Sequence, residues 1–126
     1  MNADDLLAEL AAKFRALEKF GELAAKEASP LVEAALRATA AAGTDPLGAA
    51  WPPKQDGGRP LANAAAHIAS KPIGTTIRTT LSGPDVFWHF RQGKYRRQVL
   101  PDPGTITDGV EAALRKGADL AFENAR

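Results

Sequence analysis

"KPIGTTIRTTLSGPDVFWHF", Lys71 to Phe90, is the stretch that decides the fold class. Ile73, Thr75, Ile77, Thr79 and Leu81 alternate with Gly74, Thr76, Arg78 and Thr80. That period of two, rich in β-branched residues, predicts a strand. Ser82-Gly83-Pro84-Asp85 is a turn signal, and "VFWHF", 86–90, predicts a second strand. "YRRQVL", 95–100, alternates again and predicts a third, closed by Pro101-Asp102-Pro103-Gly104.

The chain before this region reads as helix. In "DDLLAELAAKFRALEKFGELAAKEA", 4–28, Leu6, Leu10, Phe14 and Leu17 recur at spacings that place them on one stripe. Leu7, Phe20 and Leu23 widen that stripe, so the helix is expected to touch two surfaces rather than one. Gly21 is its weak point, at about 1 kcal/mol relative to Ala. Ser29-Pro30 reads as an N-cap followed by proline at the first helical position, opening a second helix over 30–42 that Gly43 ends. A short helix is expected within "PLANAAAHIAS", 60–70. After the strands, Val110, Ala113, Leu114, Gly117, Ala118 and Ala121 trace one helical face, with either a Thr105–Asp108 pair or Thr107 as its cap. The order predicts an α+β fold: a small antiparallel β-sheet packed by a long N-terminal helix, a second helix and a C-terminal helix.

At 126 residues the chain is expected to be a single domain, 1–126, with a helical part (1–42), a Gly/Pro-rich connection (43–61) and the sheet with its final helix (62–126). No run approaches the ~18 apolar residues of a membrane span, and "MNADDLLAEL" lacks the basic start of a signal peptide. These features weakly favour synthesis inside the cell. With no cysteine, disulfides, thiolate metal sites and cysteine nucleophiles are excluded. The net charge of +1 hides zoning, with net charges of −3, +6 and −2 over 1–50, 51–101 and 102–126. Such zoning suits nucleic-acid contact or a head-to-tail interface between copies.

Catalytic constellations are not evident. His67 lies in an alanine-rich patch and His89 between aromatics, neither at metal-ligand spacing from a second ligand. There is no P-loop, nucleophile elbow or dinucleotide fingerprint. The carboxylate pairs Asp4-Asp5 and Glu18/Glu22 lack the apolar surroundings that lift a pKa for acid catalysis. The expectation is a protein that is not an enzyme and carries no metal or cofactor. The densest functional signal is "FWHFRQGKYRRQVLP", 87–101. Arg91, Lys94, Arg96 and Arg97 cluster around Gly93, with Tyr95 available to stack, either as a loop presented to phosphate or an acidic partner, or as a solvated hairpin tip. In "GTDPLGAAWPPKQDGGRPL", 43–61, Trp51 is either an anchor for the helix-to-sheet connection or a hot spot docking into a neighbouring subunit.

Taken in order, these segments resemble the tail-completion or neck proteins of tailed phages, including the phage virion morphogenesis family of Mu-like phages. Asp45, Pro46, Gly48 and Trp51 match that family's Asp-Pro-x-Gly-x-x-Trp element, and Leu61 fits the segment that introduces the sheet. His89 and Gly93 approximate its aromatic-His-x-x-Gly element with one residue more between them. Arg97, Leu100 and Pro101 match its Arg-x-x-Leu-Pro element. The segment from Gln92 to Tyr95 is shorter than the family's usual insertion. The resemblance implies a non-enzymatic virion structural protein, made in the bacterial host cytoplasm and located in the neck of the particle. It implies self-association into a ring, commonly of six subunits, between the head-closure or connector protein and the tail tube or tail terminator protein. Gene transfer agents carry relatives. It leaves room for non-specific contact of Arg91, Lys94, Tyr95, Arg96 and Arg97 with DNA in the lumen. The alternative is a small nucleic-acid-binding module using the basic loop at 91–97, although a pI of about 8.1 is low for such a module.

Overall fold

The computed structural model describes residues 2–52, 61, 63–90, 97–102 and 104–124. It is an α+β fold in which α1 (Ala3–Ala41) is followed by a 3-10 turn (Ala64–His67), the strands β1 (Ile68–Ile73) and β2 (Thr76–Leu81), then α2 (Asp85–Phe90) and α3 (Asp108–Asn124). No helix among the described residues is long and apolar enough to cross a membrane.

The two expected N-terminal helices are one. α1 runs 39 residues, roughly 58 Å, straight through Pro30. Asn2 caps its start, its Oδ1 accepting from the Asp5 amide at 2.8 Å. An interior proline costs about 3 kcal/mol because it lacks an N–H and crowds the preceding turn. Here Pro30 is exposed, while Ala25, Ala28, Val32 and Leu36 on either side are buried. Packing across both halves of the helix outweighs the break. Ser29 is therefore a buried interior residue and not a cap.

The run 73–81 is not one strand but the turn and second arm of a hairpin. Gly74 (φ +60) and Thr75 form a two-residue turn, and β1 pairs with β2 antiparallel from Ile68↔Leu81 to Ile73↔Thr76. Glycine at the first turn position with positive φ is what a tight hairpin turn of this length demands. A lone hairpin is marginal in water. β1 gains partners from α1: Arg37 Nε and Nη2 both donate to the Ile68 carbonyl at 3.0 and 2.9 Å, and the Ser70 amide donates to Glu33 Oε1 at 3.0 Å. Glu33 and Arg37 thus occupy backbone groups that a third strand would take.

"VFWHF" is likewise helical, within α2, and Arg97–Val99 is irregular. The sheet accordingly has two strands among the described residues, not three. Pro84 stands immediately before α2, where its fixed φ favours a helix start. α3 opens behind Thr107, whose Oγ1 accepts from the Val110 amide at 3.4 Å. It packs along the second half of α1, and at the crossing a Cβ on Gly117 would lie 2.7 Å from Ala28 Cα. The core gathers Val32, Leu36, Ala40, Trp51, Ala64, Ile68, Val99 and Ala113.

Candidate functional site

The connection after α1 is built on backbone bonds. Gly43 ends the helix, and its carbonyl accepts from the Trp51 amide at 3.0 Å. Between them Asp45 organises a tight loop: its Oδ1 accepts from the Leu47 and Ala49 amides, both at 2.9 Å, and its carbonyl accepts from the Gly48 amide at 3.0 Å. Pro46 at the second turn position and Gly48 (φ +94) fit this geometry. The Asp-Pro-x-Gly-x-x-Trp spacing is the length needed to fold the chain back and deliver Trp51 beside the helix end.

Trp51 is 6% exposed and belongs to the core, its Nε1 donating to the Gln98 carbonyl at 2.8 Å. Next to it, Arg97 Nε donates to the Pro52 carbonyl at 3.1 Å, and its guanidinium lies 4.4 Å from the centre of the Trp88 ring. The Arg97 amide donates to the Trp88 carbonyl at 3.1 Å. His89 is buried, and its Nδ1 accepts from the amides of Val99 and Leu100 at 3.1 and 3.4 Å. Three segments, 43–52, 86–90 and 97–101, thereby lock together, the first of them distant in sequence from the other two. They carry the described residues of the three short motifs; Gly93 lies outside the described residues.

Of the basic and aromatic residues expected to face a partner or DNA, Arg91, Lys94, Tyr95 and Arg96 lie outside the described residues. Arg97 is 6% exposed and faces into the fold, because its guanidinium finds a carbonyl and a ring face there. Leu61, expected to lead into the sheet, packs against the core just before the 3-10 turn. Among the described residues no group of three His, Asp or Glu side chains is placed to hold a metal ion.

Two further surfaces stand out, and only the second was missed by sequence reasoning. The first half of α1, residues 3–19, is exposed on every side, including Leu7, Leu10, Leu17 and Phe14, the last 68% exposed. Beside the second half, an open apolar groove of about 610 Å³ runs between α1, the hairpin and α3. The signal for the first was present in the breadth of the apolar stripe. The groove had none, since it depends on how the elements are spaced. No family model matches the chain, and no curated protein or solved structure gives a match to it.

Proposed function

We propose that this chain is a non-enzymatic structural protein of the phage neck, completing the tail and joining it to the head-closure or connector proteins as a ring of about six copies. The observation that carries the reading is the convergence of the Asp45–Trp51 loop with His89, Arg97 and Leu100. Motifs whose order alone suggested the family act as one structural unit that fixes the helix end to the segment leading into α3. The exposed apolar surfaces support a protein that functions in an assembly.

The rival reading, a small nucleic-acid-binding module, is weakened by Arg97, because a guanidinium committed to Pro52 and Trp88 is not free to grip phosphate. The test is electron microscopy of the purified chain mixed with tail tubes lacking a neck. Closed rings seated on tube ends are expected. Bare tubes, together with salt-sensitive binding of the chain to duplex DNA, would replace the neck reading with the nucleic-acid one.

A further inference from the structure

We infer that the first half of α1 pairs antiparallel with the same half of a second copy, through the stripe of Leu7, Leu10, Phe14 and Leu17. Those residues lie at alternating spacings of three and four, and the alternation continues through Gly21, Ala24, Ala28, Leu31 and Ala35. The second part of that seam already carries a helix. α3 runs antiparallel along it, a Cβ on Gly109 meeting Ala35 and one on Gly117 meeting Ala28. It ends at Asn124, whose Nδ2 donates to Glu27 Oε1 at 3.2 Å. Residues 3–19, beyond that end, are exposed on every side. One seam thus has an antiparallel helix on its second half and faces solvent along its first. Pairing with another helix is the state that such spacing specifies.

Reversal makes the stripe complementary to itself. With Leu10 of one copy against Phe14 of the other, Leu7 falls against Leu17 and Leu6 flanks Phe20, so large apolar side chains meet in each layer. The overlap ends at the fold of each copy. Ala3 of one chain reaches the level of Gly21 of the other, where the Thr75 methyl stands 3.0 Å from the place of a Cβ. A parallel helix would instead run along the seam into the hairpin and α3. Leu6, Leu7, Leu10, Phe14 and Leu17 are 42 to 68% exposed. They present on the order of 500 Å² of apolar surface on each copy, and two copies together offer the ~1,000 Å² expected of a specific interface. The second half of α1 anchors the helix to the fold, so pairing does not have to nucleate it. Charge selects the occupant. Residues 3–19 carry four acidic and three basic side chains, a net −1. That balance attracts neither an acidic membrane surface nor DNA, and it opposes a second copy only weakly. Lys13, beside the two-fold axis, is offset by Glu9 at 3.6 Å in its own helix.

The contact is isologous and closes at two copies, so it goes beyond the ring reading and does not rest on it. The absence of cysteine makes the test direct. Full-length Ala11→Cys, Leu7→Cys and Leu17→Cys chains, all altered at exposed positions, are oxidised with glutathione disulfide. Products are identified by mass, and circular dichroism checks that each variant is folded. Ala11 flanks the seam at the two-fold axis, so Ala11→Cys should link to itself at least tenfold more than Leu7→Cys does. Leu7→Cys and Leu17→Cys should link to each other when mixed, and adding Phe14→Glu to both should abolish that link. Leu7→Cys linking chiefly to itself would mean a parallel pair and would overturn the arrangement. A closed oligomer in which none of these links forms would overturn it while leaving the ring standing. An unaltered chain that stays monomeric at every concentration in sedimentation would overturn it as well.

Discussion

Trp51, His89 and Arg97 are polar-tipped side chains that hold distant backbone to backbone. Each reaches a main-chain group in another segment: the Gln98 carbonyl, the Val99 and Leu100 amides, and the Pro52 carbonyl. Removing one side leaves its partner in a partly or fully buried place without a hydrogen bond. His89→Leu should therefore destabilise the chain by about 1 to 3 kcal/mol in urea unfolding, since two amides lose their acceptor. In a Trp88→Phe chain the remaining Trp51 should emit at blue-shifted wavelength and resist acrylamide quenching. A red-shifted, readily quenched emission would place it at a surface. The sequence showed that Trp51 sits in a stiff, proline-bounded segment and left open whether it faces inward. The roles of His89 and Arg97 were not legible, because they depend on contacts with residues up to 45 positions away.

Elements were read correctly where one periodicity dominates and misread where local chemistry competes with tertiary packing. The C-terminal helix was evident from its apolar face and Thr107, which caps it. Ser29-Pro30 has the form of a helix start, but burial of Val32 and Leu36 alongside Ala25 and Ala28 carries α1 through it. Pro30→Ala tests that balance. It restores an intrahelical hydrogen bond at an exposed site, worth about 3 kcal/mol, against the up to ~1 kcal/mol by which proline restricts the unfolded chain. A net gain of about 2 kcal/mol in thermal or urea unfolding is expected. Ile73 to Leu81 kept the strand period across a tight turn because the two turn residues preserved the alternation. "VFWHF" is rich in aromatics that favour strands, and only Gly83-Pro84 hinted at a helix start. The bonds of Glu33 and Arg37 to β1 could not be read from sequence. Arg37→Ala should cost about 1 to 3 kcal/mol, observed as earlier hydrogen exchange in the hairpin amides than elsewhere.

At the scale of the whole molecule, α1 joins two regimes. Its second half is the spine against which the hairpin and α3 pack, while its first half carries large apolar side chains into solvent. The tight Ala28–Gly117 crossing fixes the first regime, and Gly117→Ala should destabilise the fold by about 1 to 3 kcal/mol through overpacking. The exposed first half should behave oppositely: Phe14→Glu is expected to change monomer stability by less than about 0.5 kcal/mol while weakening self-association. The measurement that bears most directly on the account is native mass spectrometry of the intact chain over a concentration series, with a short DNA duplex in half the samples. A discrete closed oligomer that excludes DNA, lost in Phe14→Glu, is the predicted result. A monomer at all concentrations that takes up duplex with steep salt dependence would contradict the account.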